Sequence, residues 1–176
     1  MNKIGFTSDL HLMHNKPFIY MPRGFETIEE MNKAIIHNFN EVLDDADDLY
    51  ILGDLFLNDN DGGMGLLRKL PGKKHIIWGN HDTNARKKLM EQEFDCLGYA
   101  TMIKLNGYTF YLSHYPTMTS NHDDEKPLER RILSLSGHTH SKEVWDAAGG
   151  YNVALDAHNC YPVMLDEVIE AFKNRG

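Results

Sequence analysis

The side chains best suited to chemistry in this sequence are aspartates, histidines and one asparagine that stand in five short clusters. The clusters are Asp9-x-His11, Gly53-Asp54, Gly79-Asn80-His81-Asp82, His114 and Gly137-His138-x-His140. Four of them end predicted strands, so the fold should bring them to one edge of a sheet. Carboxylate, imidazole and amide donors gathered in this way are typical of a site for divalent metal ions.

Each cluster also has an ordinary interpretation when it is considered alone. Asp9 could cap a turn beside a surface histidine, Gly53-Asp54 could be a turn, and His138 and His140 could share one face of a strand end. The joint occurrence of the clusters favours the metal site. Two ions about 3.5–4 Å apart need an anionic bridging ligand, for which Asp54 is the candidate. Imidazole with carboxylate suits manganese, iron or zinc, and neutral Asn80 adds an oxygen donor without charge.

The five clusters, in this order, resemble the signature of the calcineurin-like metallophosphoesterase superfamily. The resemblance covers Ile4 to about Asp156, and the small size is similar to compact bacterial and phage-type members without a cap domain. It implies an α/β fold, a four-layer type of sandwich in which mixed β-sheets are flanked by helices, with the metal site at the C-terminal edge of the strands. Residues 1–176 are expected to form a single domain.

Residue by residue, the resemblance implies two metal sites that share one aspartate. The first would comprise Asp9, His11, Asp54 and His140, and the second Asp54, Asn80, His114 and His138. His81 matches the histidine that contacts the phosphate and protonates the leaving oxygen, with Asp82 supporting it. The implied nucleophile is a water or hydroxide that bridges the metals. Manganese is the favoured ion, with iron, zinc and nickel as alternatives.

Other polar residues have weaker claims to the site. His14, three residues after His11, could reach the substrate phosphate. Arg23 could clamp it through two guanidinium bonds, or it could be a surface arginine. The run His122-Asp123-Asp124-Glu125 fits a solvated loop better than a further cation site, and His158 has no assigned role.

The elements that must position these residues follow from periodicity and turn signals. Strands are predicted at Ile4–Ser8, Leu49–Leu52 and Ile76–Trp78, in parallel, with intervening helices that start after Thr27 and near Gly62. The first helix should bury one face, which comprises Ile28, Met31, Ile35, Phe39, Val42 and Leu43. Asn106-Gly107 predicts a hairpin between 101–105 and 108–113, and hence a more antiparallel second half. Ile132–Ser136, a last strand at Asn152–Leu155 and a helix at Leu165–Lys173 complete the prediction.

Composition limits the partners and the location. The net charge of −8 over 176 residues offers no broad basic surface for nucleic acid. No apolar run reaches the roughly 18 residues that span a bilayer, and the first residues do not resemble a secretory signal. Cys96 and Cys160 are expected to be buried, reduced thiols. These features predict a cytoplasmic protein with no membrane and no evident protein partner.

The sequence thus predicts a metal-dependent phosphoesterase. Its substrate would be a small phosphate ester, with a nucleotide or a short oligonucleotide among the candidates. The loops Leu12–Phe25, Leu57–Gly63 and Pro116–Glu129 are too short for a cap, so an open site that favours phosphodiesters over phosphomonoesters is expected. Two alternatives stay open, a catalytically silent protein-interaction scaffold of the same fold and a small nuclease.

Overall fold

The structure is a computed structural model that describes residues 2–118 and 125–175. Its strands in these residues are β1 (Ile4–Thr7), β2 (Asp48–Leu52), β3 (Lys73–Ile77), β4 (Asp95–Gly98), β5 (Ala100–Leu105), β6 (Tyr108–Ser113), β7 (Ile132–Ser136), β8 (Tyr151–Asn152) and β9 (Val163–Met164). Its helices are α1 (Pro17–Tyr20), α2 (Ile28–Val42), α3 (Asn60–Lys69), α4 (Asn84–Met90) and α5 (Leu165–Asn174). Two sheets form, with strand orders β4-β3-β2-β1-β9 and β5-β6-β7-β8. The predicted fold class, α/β with mixed sheets flanked by helices, is confirmed.

The first sheet follows the predicted strand and helix alternation. β1, β2 and β3 pair in parallel, and β9 adds to β1 in the antiparallel direction. Helix α2 begins where the capping signal predicts, because Thr27 Oγ1 accepts a bond from Glu30 N at 3.2 Å. The Glu30 carboxylate bonds in turn to Glu26 N. Most of the predicted apolar face of α2 is buried, and only Val42 is partly exposed.

The second sheet confirms the hairpin but not the expected antiparallel character. Asn106 (φ 48°) and Gly107 (φ 87°) are both left-handed, as a two-residue hairpin turn requires, and β5 and β6 pair in the antiparallel direction. In contrast, β6 pairs with β7, and β7 with β8, in parallel. That expectation was therefore wrong beyond the hairpin. The segments that join these strands are long enough to be crossovers, which need about a dozen residues or more.

The chain end departs from prediction at the last strand. Strand β8 stops at Asn152, after which the chain passes from the second sheet to the first. Val153 N still donates to Ser136 O at 2.8 Å, whereas Ala154 forms a bridge with Ser8 and Leu155 N donates to Ser8 O. Residues Leu155–Ala157 form a 3-10 turn, and the final strand is β9. Helix α5 is confirmed. Strand β4 and helices α1 and α4 had not been predicted.

Two apolar layers cover the two faces of the first sheet. Ile51 and Ile76 pack against α2 and α3, whereas their neighbours Leu52 and Ile77 pack against the second sheet and α5. Alternate residues of a strand point to opposite faces, so burial on both sides explains why these strands are continuously apolar. Cys160 is buried, but Cys96 is only partly buried, contrary to prediction, and both are free thiols. In the described residues, no helix is both long and apolar enough to cross a membrane.

Candidate metal centre

The polar clusters lie just beyond the carboxyl ends of five strands. Asp9, Asp54 and Asn80 follow β1, β2 and β3, while His114 and His138 follow β6 and β7. Backbone hydrogen bonds hold the loops together, from Asp9 N to Gly53 O, from His11 N to Asp54 O and from Gly137 N to His114 O, each at 3.0 Å. Both sheets therefore contribute side chains to one place.

The backbone at the site is strained. Five of the seven predicted ligands are non-glycine residues in the left-handed region: Asp9 (φ 57°), His11 (φ 47°), Asp54 (φ 56°), His138 (φ 71°) and His140 (φ 50°). Such conformations cost on the order of 1 kcal/mol each and concentrate at functional sites. The packing around the loops must offset this strain.

Glycine at position 53 is required by the close approach of three loops. Its φ is +90°, and a Cβ there would lie 2.6 Å from both Gly79 Cα and His114 Nδ1. A side chain at Gly137 would collide with Ser8 and Asp9. The glycines of the motifs thus let the ligand loops pack against one another.

Asp9, His11 and His140 form the first group of donors, with ligand atoms within 4.8 Å of one another. The Nε2 atoms of His11 and His140 are 3.0 Å apart. Asp9 Oδ1 lies 3.8 Å from His11 Nε2 and 3.6 Å from His140 Nε2. This oxygen is buried and has no hydrogen-bond partner among the described residues, whereas Oδ2 accepts bonds from Ser8 Oγ and His138 N. A buried carboxylate oxygen of this kind fits a cation.

A buried ion pair fixes the orientation of His140. Its Nδ1 donates to Asp156 Oδ2 at 3.0 Å, and Asp156 also accepts from Arg23 Nη2 at 2.7 Å. Burial opposes ionisation of Asp156, but the bonds from His140 and Arg23 outweigh it and hold its pKa well below the usual value. Because Nδ1 carries the proton, Nε2 of His140 presents a lone pair to the site.

His114 anchors the second group of donors in the same way. Its Nδ1 donates to Leu52 O at 2.8 Å, so Nε2 is the nitrogen that carries the lone pair in the neutral ring. That Nε2 faces Asn80 Oδ1 at 2.9 Å, His138 Nδ1 at 3.2 Å and Asp54 Oδ2 at 3.5 Å. Two donors about 2.1 Å from one ion and at right angles would lie about 3 Å apart. The spacing of these electron pairs therefore fits a shared cation.

Asp54 and Asp9 both lie between the two groups of donors. Asp54 Oδ2 is 3.8 Å from His11 Nε2 and 3.5 Å from His114 Nε2. Asp9, Asp54 and His114 form a second set of potential ligands within 4.8 Å, so Asp9 belongs to both sets. The assignment of Asp54 as the bridging ligand stays a prediction.

Burial favours the neutral form, which a metal ligand requires, in two of the proposed histidine ligands, but the pKa of a third is raised. Burial lowers the pKa of His11 well below its usual value, and the nearby charges of His140 and Arg23 lower it further. Burial also lowers the pKa of His138. Burial by itself would lower the pKa of His140, but the hydrogen bond to Asp156 outweighs burial, and the pKa is raised overall.

His81 lies at the rim of the cluster, and its side chain is 46% exposed. Its backbone N–H donates to Asp54 Oδ1 at 2.8 Å, and its Nε2 is 4.0 Å from Asp54 Oδ2. The carboxylate of Asp82 is directed elsewhere. It accepts bonds from Gly79 N, Asp54 N and Leu55 N, and burial raises its pKa. Asp82 thus ties the loops after β2 and β3 together, and no described bond joins it to the His81 ring.

His14 and Arg23 occupy different places relative to the site. His14 is buried beside His11, with the two Nδ1 atoms 3.2 Å apart. Arg23 is not a surface residue. Its guanidinium pairs with Asp156 and donates to the carbonyls of Asp9 and Leu10, so this geometry directs it to the protein rather than to a phosphate.

Arg86 is a residue of the site that the sequence analysis missed. From helix α4, its Nη1 donates to His81 O at 2.7 Å and its Nε to Asn60 Oδ1 at 3.2 Å. Arg86 stands five residues after His81, and without a predicted helix α4 this spacing did not indicate that the two residues are in contact. Thr83, whose side chain caps α4, was the available clue.

His158 does not belong to the cluster. His158 bonds to Asn152 O at 2.6 Å and stacks on Tyr151, which is a structural arrangement. In the run His122-Asp123-Asp124-Glu125, the residues from His122 to Asp124 lie outside the described residues. The hypothesis of a further cation site there therefore stays a hypothesis.

The fold and the site together define an α/β protein with a cluster of metal-type ligands at the strand ends. The family model of the calcineurin-like phosphoesterase superfamily domain matches residues 2–154, and the chain belongs to this superfamily. An uncharacterised protein of Methanocaldococcus jannaschii is 33% identical, over 97% of this chain and 91% of that protein. The Gene 66 protein of Mycobacterium phage L5 is 27% identical, over 80% and 79% of the two chains.

Solved structures support the same fold. A protein of unknown function from Aquifex aeolicus matches with a TM-score of 0.76 and 25% identity, over 97% of this chain and 100% of that chain. A phosphoesterase from E. coli matches with a TM-score of 0.51 and 17% identity, over 86% and 78% of the two chains. An archaeal phosphodiesterase matches with the same TM-score and 15% identity, over 86% and 82%.

Proposed function

We propose that this protein is a phosphoesterase that depends on two divalent transition-metal ions, with manganese favoured over iron, zinc or nickel. The observation that carries the proposal is the convergence of lone pairs at the strand ends. Asn80 Oδ1 lies 2.9 Å from His114 Nε2, the nitrogen that carries the lone pair in the neutral ring, and Asp9 Oδ1 is buried without a partner among the described residues. Such an arrangement is unfavourable without positive charge between the donors.

The proposed ligands divide into two sets that share Asp54. Asp9, His11, Asp54 and His140 would hold one ion, and Asp54, Asn80, His114 and His138 the other. When bound, the ions would lower the pKa of a water nucleophile and neutralise charge on the phosphate. The chain's own residues fix this geometry, because Asp156 orients His140 and the carbonyl of Leu52 orients His114.

His81 is the proposed general acid. The water releases one proton to solvent and its oxygen forms a bond to phosphorus, the bond from phosphorus to the leaving oxygen breaks, and His81, as the acid, gives a proton to that oxygen. The contact from His81 N to Asp54 Oδ1 and the bond from Arg86 to His81 O hold the backbone, while the exposed ring can reach a substrate. Arg86 is thus a positioning residue.

A phosphodiester is the favoured substrate class, and phosphomonoesters are the alternative. The loops around the site are short, so a chain that continues on both sides of the phosphorus would find room. One fold neighbour is itself described as a phosphodiesterase. The partner would be a small phosphate ester, and we infer a cytoplasmic location from the sequence.

The alternative function is a catalytically silent scaffold of the same fold. A scaffold has no need for the orphaned Asp9 oxygen, the strained ligand backbones or the exposed His81. These features favour the enzyme. A nuclease would use the same chemistry on the phosphodiester bonds of nucleic acid. Activity on short oligonucleotides therefore distinguishes this alternative.

The test is hydrolysis by metal-stripped protein that is refilled with manganese. The substrates are bis-p-nitrophenyl phosphate, p-nitrophenyl phosphate, 2′,3′-cyclic nucleotides and short oligonucleotides. Turnover should require the metal and favour the diesters. Activity that is unchanged by metal removal would contradict the metal dependence, and the absence of activity on every substrate despite two bound ions would favour the scaffold.

The role of His81 is tested with His81→Ala. We expect turnover of substrates with poor leaving groups to fall about 10²–10⁴-fold, the usual contribution of a general acid, while metal content is retained. The loss should be smaller for p-nitrophenyl esters, whose leaving group needs little protonation. His37→Ala is the matched control, because His37 is 71% exposed and pairs only with Glu41 among its described contacts. Loss of bound metal in His81→Ala would contradict the assignment.

A further inference from the structure

Two exposed aromatic side chains stand at opposite ends of the histidine cluster. Phe18 is 68% exposed and Tyr115 is 47% exposed. Single exposed apolar residues are ordinary on protein surfaces. A pair that brackets a phosphate site is not ordinary, because each ring is available to a group attached to that phosphate.

Phe18 lies on the side of the first donor group. It is carried by the short helix α1, which Ile19 anchors in the core while Phe18 faces outward. Its ring centroid is 5.8 Å from that of His14, whose ring in turn is 5.2 Å from His11 and 6.3 Å from His81. Phe18 therefore borders the place where His81 would meet the leaving group.

Tyr115 lies on the side of the second donor group. Its ring centroid is 4.7 Å from that of His138 and 5.2 Å from that of His114. The backbone carbonyl of Tyr115 accepts a bond from Ser113 Oγ at 2.7 Å, which fixes the start of this loop against β6. The ring is thus held beside two proposed ligands while almost half of it stays open to solvent.

We propose that Phe18 and Tyr115 are stacking platforms for the two bases that flank one phosphodiester, so that the substrate is a dinucleotide or a short single-stranded oligonucleotide. This inference rests on the proposed phosphoesterase function. A diester between two nucleosides places one base on each side of its phosphorus, which matches one ring at each end of the cluster. Aromatic side chains stack on any base, and only unpaired bases expose their faces to them.

The charge distribution agrees with a short rather than a long nucleic acid. Lys16 stands two residues before Phe18, and Arg86 donates to His81 O at 2.7 Å, so single cations flank this end of the cluster. The whole chain nevertheless carries a net charge of −8. Such a protein can bind one or two phosphates locally but lacks the extended basic track of a processive nuclease.

The experiment compares two substrates that differ only in their bases. Thymidylyl-(3′→5′)-thymidine is paired with the same diester between abasic sugars, and kcat and KM are measured with manganese-loaded protein. We expect KM to be at least about tenfold lower for the dinucleotide. In Phe18→Ala and Tyr115→Ala, KM for the dinucleotide should rise about 5–100-fold, the range for loss of one stacked base. KM for the abasic diester should stay unchanged.

Conservative and distant variants separate stacking from misfolding. Phe18→Trp and Tyr115→Phe should retain the low KM, because both keep an aromatic face. Met102→Ala is the control for loss of an exposed apolar side chain, since Met102 is 59% exposed on β5, an edge strand of the second sheet. Equal KM values for the two diesters, or an equal effect of the alanine variants on both, would overturn the inference while the phosphoesterase function stands.

A binding measurement distinguishes failure of the inference from failure of the proposed function. If bis-p-nitrophenyl phosphate is not hydrolysed either, the proposed function has failed, and fluorescence anisotropy of labelled tetrathymidylate then decides whether the rings bind bases. Weaker binding by Phe18→Ala and Tyr115→Ala supports the platforms. Binding that these variants leave unchanged, or no binding by the original protein, rejects them.

Discussion

Asp9 divides its two carboxylate oxygens between the protein and the proposed metal site. Oδ2 accepts bonds from Ser8 Oγ at 2.7 Å and His138 N at 2.8 Å, so it ties β1 to the loop after β7. Oδ1 is buried without a described partner. An unsatisfied polar atom in such a place costs about 1–3 kcal/mol. A bound cation would remove this cost, so the same residue links structure and function.

The Arg23–Asp156 pair provides the first test at the scale of residues. We expect Asp156→Asn to destabilise the fold by about 3 kcal/mol, because the buried guanidinium of Arg23 would lose its counter-charge. Metal affinity should also fall about 10–100-fold, because His140 would lose the carboxylate that orients it. Urea unfolding and calorimetric metal titration measure the two effects.

Glu93→Gln is the matched control for Asp156→Asn. It breaks the exposed pair between Arg68 and Glu93, which water and salt screen, so the free energy of unfolding should change little. An Asp156→Asn protein that loses no more stability than this control would show that the buried pair is not needed. Unchanged metal affinity would remove Asp156 from the support of His140.

At the scale of elements, the site is a consequence of how parallel strands end. The carboxyl ends of β1, β2 and β3 lie at one edge, and the polar residue that follows each strand is therefore delivered to the same place. Loops that carry ligands must also be fixed to one another. Asp82 does this through three backbone N–H groups, two after β2 and one after β3.

The connection between α2 and β2 contains Asp47, a buried carboxylate that two backbone N–H groups contact. This residue gives a stability test that depends on pH. The N–H of Asp44, together with that of Lys3, donates to Asp47 and holds its pKa below the usual value. A carboxyl group whose pKa is lower in the folded state contributes stability above its unfolded pKa of about 3.9, and this contribution is lost as the pH falls through the folded value. Asp47→Asn should therefore reduce stability most at pH 7.

Urea unfolding of the original protein and Asp47→Asn at pH 7, 4 and 3 measures this contribution. The difference between their free energies of unfolding should shrink as the pH is lowered. Asp45→Asn changes an exposed residue in the same loop. At each pH, its free energy of unfolding should be close to that of the original protein. A difference for Asp47→Asn that grows toward pH 3 would show that the sign of the argument is wrong.

At the scale of the whole molecule, the candidate metal site lies where the two sheets meet. Asp9, His11, Asp54 and Asn80 come from the edge of the first sheet, whereas His114, His138 and His140 come from that of the second. The inner apolar layer already packs Phe6, Leu52 and Ile77 against Phe110 and Leu133. Ions at the edge would add cross-links where this layer ends.

Metal binding should consequently raise the thermal stability of the entire fold. At a free metal concentration about 100 times Kd, the stabilisation is about 2.7 kcal/mol per site, which corresponds to an increase in Tm of about 5–10 °C for a chain of this size. Thermal scans with manganese and with a chelator measure this shift. In Asp54→Ala, which lacks the proposed shared ligand, the shift should largely disappear. A full shift in that variant would contradict the bridging assignment.

The sequence by itself determined the features that depend on neighbouring residues. The capping residues and apolar face of α2, the Asn106-Gly107 hairpin and the polar clusters after apolar runs were all predicted, because periodicity and turn conformation act over a few positions. The prediction failed where pairing depends on a distant partner. Strand β8 ends at Asn152 because the chain then changes sheets, and Ala154 pairs with Ser8 beyond the end of β1.

Only the tertiary structure decided the features that depend on distant residues. Arg23 pairs with Asp156, 133 positions along the chain, and so it is a buried support of the site rather than a surface residue. The parallel pairing of β6 with β7 and the places of Arg86, Phe18 and Tyr115 beside the histidines were also beyond prediction. Packing brings such residues together, and the sequence around one partner does not predict the identity of the other.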